Sequence, residues 1–189
     1  MAACSGVNGL LTTHREDFIM TLVYTIGYEG TDIDRFIQTL KTAGVKVLAD
    51  VRAVALSRKK GFSKTALRAR LQQEGIAYLH FNALGDPKPG REAARAGRFS
   101  EFRTIYAAHL AGQPAQAALA ALSRAVENTS ACLLCFERDP KECHRSIIAG
   151  KLKAAGMDVF HLFGDSPARN VDFATKLPRH HSRQGASAA

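Results

Sequence analysis

The chain has 189 residues, 46% of them hydrophobic, which suits one domain with an ordinary core. Four cysteines in a domain of this size call for no disulfide framework, and no export signal opens residues 1–19, so a reducing cytoplasmic location is expected. No run reaches the roughly 18 apolar residues of a membrane span, so no membrane partner is expected. The formal charge of +9 favours an anionic partner, either a small molecule or nucleic acid.

Residues 1–19 read as a flexible extension, residues 20–165 as the domain, and residues 166–189 as a polar, proline-broken tail. Leu22 to Ile26 (LVYTI) is β-prone and leads through Gly27 and Glu29 to a helix, where Thr31 and Asp34 resemble a capping pair. Ile33, Phe36, Ile37 and Leu40 form that helix's apolar face, and Gly44 stops it. Val45 to Val51 is a second strand, so the pair and its crossover make a parallel βαβ unit. A basic segment follows, in which Ser63 can cap a helix running to Gly75. Ala77 to Phe81 is a third strand, and Asn82 to Gly97 lacks a period and reads as a loop, either a lid or a solvated insertion. Phe99 to Leu110 and Ala115 to Val126 are helices, with Phe102 and Tyr106 assigned to the core. Ala131 to Phe136 is a strand, Asp139 caps a helix ending at Gly156, and Val159 to Phe163 is the last strand. The alternation predicts a single α/β domain with a mostly parallel sheet of about five strands flanked by helices.

In such sheets ligands bind beyond the carboxyl ends of the strands. Those ends carry Gly27 with Glu29, Asp50 with Arg52, His80, Cys135 with Glu137, and His161. Arg52 and Arg58 can clamp a phosphate or carboxylate through the guanidinium fork. Asp139, Pro140 and Glu142 form a helix start that places Cys143, His144 and Arg145 in the first turn, a positive end able to stabilise a thiolate. Cys135, which ends a strand, is the preferred reactive group, and Cys143 is read either as a second one or as an inert buried thiol. Cys132 precedes Cys135 by three positions, so the two point to opposite faces and Cys132 belongs to the core. Glu137 can act as an acid or base, or pair with Arg52 or Arg145. The spacing of Cys135, Cys143 and His144 lacks the paired ligands of known zinc patterns, so no metal is expected. No Walker loop, dinucleotide-binding glycine fingerprint or nucleophile elbow is present, and no cofactor is expected.

The motifs TIGYEG at Thr25 to Gly30, LADVR at Leu48 to Arg52, Ser57-Arg58, YLHFNALG at Tyr78 to Gly85 and LLCFERDPKECHRSIIAGKL at Leu133 to Leu152 resemble the family called domain of unknown function 488. The resemblance spans about residues 20–163 and implies an α/β domain with no established activity. It implies a shared site at Gly27, Glu29, Asp50, Arg52, Ser57, Arg58, Cys135, Glu137, Cys143, His144 and Arg145. The chain departs from the family after DVR, where a proline is common and Ala53 to Leu56 has none. A weaker similarity is to rhodanese-like sulfurtransferases, at Asp50 to Arg52, Cys135, Arg145-Ser146 and Ala155 to Leu162, although nine residues separate Cys135 from Arg145 where a compact loop is usual. The leading expectation is a cysteine-dependent enzyme for an anionic, phosphate-bearing or similar substrate. A nucleic-acid-binding module and a sulfurtransferase are the alternatives.

Overall fold

The computed structural model describes residues 21–127 and 129–165, so the expected N-terminal extension and the tail from 166 lie outside the described residues. Strands β1 (Leu22–Gly27), β2 (Val47–Asp50), β3 (Ala77–His80), β4 (Ala131–Cys135) and β5 (Asp158–Phe163) form one sheet in the order β3-β2-β4-β1-β5. Every neighbouring pair is parallel. The helices are α1 (Ile33–Thr42), α2 (Lys64–Gln73), α3 (Lys88–Arg95), α4 (Phe99–Ala111), α5 (Gln113–Val126) and α6 (His144–Ala154). None of the helices among the described residues is long and apolar enough to cross a membrane.

Both sheet faces are covered, so the strands read as continuous apolar runs. β4 shows how alternation sorts them. Cys132 and Leu134 join Phe36, Leu40, Leu67 and Leu71 of α1 and α2 on one face, while Ala131 and Leu133 join Tyr106, Leu122, Ile148 and Leu152 of α4, α5 and α6 on the other. Each fully buried Leu, Ile or Phe contributes about 1.5–3 kcal/mol of transfer free energy. Cys132, with no exposure, is a core residue.

This topology also creates the crevice. From β1 the chain crosses over β4 to reach β2 by way of α1, and from β4 it crosses over β1 to reach β5 by way of α6 on the opposite face. Connections leaving adjacent strands to opposite faces open a gap at their carboxyl ends. Gly27 and Cys135, paired in register, sit at that gap.

Three local expectations are corrected. Asp32, not Thr31, caps α1, its Oδ1 accepting the Arg35 N–H at 2.9 Å. Thr31 is buried and donates instead to the Gly164 carbonyl at 3.0 Å, a partner 133 residues away that local pattern cannot reveal. The stretch Asn82 to Gly97 is not a loop: it holds a 3-10 turn at Asn82–Leu84 and α3, with Ala93 in the core. Pro89 lies in the first turn of α3, where its missing N–H costs nothing, so prolines that read as breakers mark a helix start. Finally, Asp139 caps only a 3-10 turn at Pro140–Glu142, and α6 begins at His144. Cys143 has extended backbone (φ −131°, ψ 142°) and is itself the N-cap of α6.

Candidate functional site

The site is assembled where the turn after β4 closes on the end of β1. At the end of β1 a Cβ on Gly27 would lie 1.8 Å from the Glu137 carbonyl oxygen, so only glycine lets the turn after β4 fold back across β1. The Tyr28 and Glu29 N–H groups donate to the Cys135 and Phe136 carbonyls at 3.3 and 2.9 Å, and the Glu29 carboxylate accepts the Arg138 N–H at 2.9 Å. Gly27 and Glu29 thus shape the turn that carries Glu137.

Within that turn Cys135 Sγ donates to Glu137 Oε2 at 2.9 Å and lies 3.5 Å from His144 Nδ1. Cys143 Sγ lies 3.9 Å from the same Nδ1 and accepts the Arg145 backbone N–H at 3.4 Å. One ligand-type atom from each of Cys135, Glu137, Cys143 and His144 falls within 4.8 Å of all the others. The imidazole is held from behind, because His144 Nε2 is 2.8 Å from the Val51 carbonyl. A carbonyl only accepts, so Nε2 carries a proton and Nδ1 faces the two sulfurs. The Tyr106 ring packs 5.3 Å from the imidazole, and the Tyr106 hydroxyl donates to the Leu84 carbonyl at 2.7 Å.

Arg145 is fully buried, and among the described residues it forms no salt bridge. Its guanidinium donates to the carbonyls of Glu137 and, at 2.9 Å, Arg138, and to Thr25 Oγ1 at 3.4 Å. Thr25 Oγ1 in turn lies 2.7 Å from His161 Nδ1, and burial together with the Arg145 charge keeps the His161 pKa low. The guanidinium is thus satisfied by neutral acceptors, and its charge also bears on Cys143. Burial works against the Cys143 thiolate, but the Cys135 thiol, His144 and Arg145 outweigh it and hold Cys143 below the ordinary thiol range. Cys135 is pushed up by burial and by its neighbour Cys143. Burial and then the Cys143 charge raise Glu137 to about 7, while that same charge overcomes burial to lift His144 to about 9. The surroundings thus favour the charged form more at Cys143 than at Cys135.

Asp50 and Arg52 form a neighbouring lock, with Ser57 and Arg58 on the loop that follows it. Asp50, with no exposure, takes Arg52 Nε and Nη2 at 2.8 and 2.6 Å and the Tyr78 hydroxyl at 2.6 Å. Arg52 Nη1 also donates to the Phe62 carbonyl at 2.9 Å and to the Tyr28 hydroxyl at 3.3 Å. Four of the five guanidinium N–H groups are thereby engaged, so Arg52 pins the 53–62 loop over the sheet edge. Ser57 Oγ accepts the Lys59 N–H at 3.2 Å within that loop, and Arg58 is exposed on it. His80 Nε2 faces the Arg52 carbonyl at 3.0 Å, on the β3 edge.

Sequence reasoning passed over Asp86, which is 6% exposed and whose Oδ1 finds no partner among the described residues. A Cβ on Gly90 would lie 2.1 Å from that oxygen, so α3 packs directly on the carboxylate. Burial raises the Asp86 pKa to about 6, against the opposing charges of His144 and Arg91. The only signal in the sequence was an acidic residue inside the Gly85-to-Gly90 turn pattern. Because the folded pKa lies above the unfolded value of about 3.9, this group favours folding while protonated, and that contribution is lost as pH rises through 6. Asp86→Asn is therefore expected to match the parent in urea unfolding at pH 4 and to exceed it by about 2 kcal/mol at pH 8. Equal stability at both pH values would refute the assignment.

A parallel α/β domain with a buried thiol, imidazole and carboxyl cluster at its switch point is the class that fold and site define. The chain belongs to the family described as Domain of unknown function DUF488, whose model matches residues 32–152, a span holding Cys135, Cys143 and the DVR strand end but not Gly27 or Glu29. No curated protein and no solved structure matches the chain. The similarity to rhodanese-like domains is not shown by these comparisons.

Proposed function

We propose that the protein is an enzyme in which the Cys143 thiolate is the nucleophile and the neutral Glu137 carboxyl the proton donor, acting on an anionic substrate. The observation that carries this reading is the placement of Cys143 Sγ, on the Arg145 N–H at 3.4 Å and beside His144 Nδ1 at 3.9 Å, at the carboxyl edge of the sheet. In the step envisaged, Sγ forms a bond to an electrophilic centre while the leaving group departs with its electron pair and takes the Glu137 proton. Water then attacks the thioester-like adduct, gives one proton to Glu137, and releases Cys143 as thiolate. Buried positive charge from His144 and Arg145, with Arg58 exposed on the loop after β2, favours an anion over a neutral substrate.

Alkylation by iodoacetamide in the presence of a chelator, resolved by peptide mass spectrometry from pH 5 to 9, tests the nucleophile. Cys143 is expected to label first and to keep its rate as pH falls below the ordinary thiol pKa of about 8.5, with Cys135 and Cys132 lagging. A panel of phosphate and carboxylate esters should be turned over by the parent and not by Cys143→Ser. Serine is a preferred helix N-cap, so this variant keeps the start of α6. Preferential labelling of Cys135, or equal turnover by Cys143→Ser, would overturn the assignment.

A further inference from the structure

Cys135, Glu137, Cys143 and His144 come from two segments with no zinc-like spacing, yet their four donor atoms all lie within 4.8 Å of one another. We propose that these four side chains form a binding site for a single zinc-class divalent cation, and that the bound ion withdraws Cys143 from reaction. This inference uses the site of the preceding section but does not depend on its catalytic role.

Three observations support it. The first is spacing. Zinc holds sulfur at about 2.3 Å and nitrogen at about 2.0–2.1 Å, so neighbouring donors of a tetrahedral site stand roughly 3.5–3.8 Å apart. Cys135 Sγ and Cys143 Sγ lie 3.5 and 3.9 Å from His144 Nδ1. The Glu137 carboxylate, 2.9 Å from Cys135 Sγ as a hydrogen-bond acceptor and within 4.8 Å of the other two donors, is placed to become the fourth ligand on rotation of its side chain.

The second is the support behind the ligands. A metal-binding histidine commonly donates its other N–H to a carbonyl or carboxylate, which fixes the ring and its tautomer. His144 has that arrangement before any ion arrives, with Nε2 2.8 Å from the Val51 carbonyl and Nδ1 turned to the sulfurs. Cys143 Sγ is likewise held by the Arg145 backbone N–H, and Gly27 allows the Glu137 segment to close over the cluster. The third is chemistry. Two thiolates, one imidazole and one carboxylate form a borderline-soft set that suits zinc and excludes calcium and magnesium, which take oxygen.

The sequence offers Cys135, Cys143 and His144 without paired spacing, and only the tertiary structure brings them together with Glu137. β4 ends at Cys135, the turn through Asp139 and Pro140 reverses the chain, and the N-cap of α6 returns Cys143 and His144 to the strand end. The eight-residue step from Cys135 to Cys143 is thus closed by a fold rather than by a Cys-x-x-Cys knuckle.

The test is titration of the full chain, freed of metal by a chelator and kept reduced, with Co²⁺ as the optical probe and Zn²⁺ as competitor. A Cys4→Ala background removes the one thiol outside the described residues. One Co²⁺ per chain is expected, with a thiolate charge-transfer band in the near ultraviolet and visible d–d bands of tetrahedral intensity, both removed by one equivalent of Zn²⁺. Loss of a partner behind a metal ligand already costs 10–100-fold in affinity, so Cys143→Ser and Cys135→Ser should each weaken binding by at least about 100-fold. Cys132→Ala, on the opposite face of the sheet, should leave it unchanged. Zn²⁺ should also slow iodoacetamide labelling of Cys143 in the parent. Absence of the charge-transfer band, or a band that survives Cys143→Ser, would overturn the proposal. Fast labelling of Cys143 without metal binding would refute the cation site and leave the nucleophile reading standing. Tight binding with an unreactive Cys143 in chelator would do the reverse.

Discussion

Arg145→Met is expected to destabilise the fold by about 3 kcal/mol or more, since hydrogen bonds from a charged donor contribute about 1.5–3 kcal/mol each and three are lost. The Glu137 and Arg138 carbonyls and Thr25 Oγ1 all face this guanidinium. Methionine is close in length and apolar, so packing is largely kept and the loss reports the polar network. The carbonyls belong to the turn that presents Glu137, so the variant should also lose selective Cys143 labelling. Urea unfolding at pH 7 measures the first effect and alkylation the second. A loss under 1 kcal/mol would show that the turn is held by its backbone contacts to β1 alone.

Asp50→Asn should have an effect of similar size for a different reason. Removing one partner from a buried ion pair costs about 3–5 kcal/mol, because the remaining charge is left uncompensated. Arg52, 5% exposed, would keep only the Phe62 carbonyl and the Tyr28 hydroxyl as acceptors beyond the new amide. The amide also loses one of the two oxygens that now receive Arg52 and the Tyr78 hydroxyl. Denaturant unfolding should show a lower midpoint, and limited proteolysis should cut the loop 53–62, which Arg52 pins through Phe62. Parent-like unfolding would refute the lock. The Asp50→Asn, Arg52→Met double variant should recover part of the loss, since it removes the stranded charge along with its partner.

Asp50, Arg52 and Cys135 all stand at strand exits, a position that suggests one shared anion site. In the fold Asp50 and Arg52 form a lock between β2, β3 and the following loop, while Cys135, Glu137, Cys143 and His144 gather at β4 and α6. A strand exit gives a residue's height in the sheet but not its partner, and the partner decides whether a guanidinium is free to take a substrate.

What the sequence determined by itself is local. Apolar runs bounded by glycine and proline set the five strands, and period-2 alternation put Cys132 in the core, because side-chain direction in a strand follows position alone. Alternating strands and helices implied the parallel sheet and its carboxyl-edge crevice. What only the tertiary structure decided depends on distant groups. Cys143 is held below the ordinary thiol range by the Cys135 thiol, His144 and Arg145. His144 turns Nδ1 to the sulfurs because Val51, 93 residues earlier, holds Nε2. Glu137 reaches the cluster because Gly27, 110 residues away, leaves room for its carbonyl. Burial, charge and packing set protonation and the placement of these side chains, and none of them is a property of neighbouring residues in the chain.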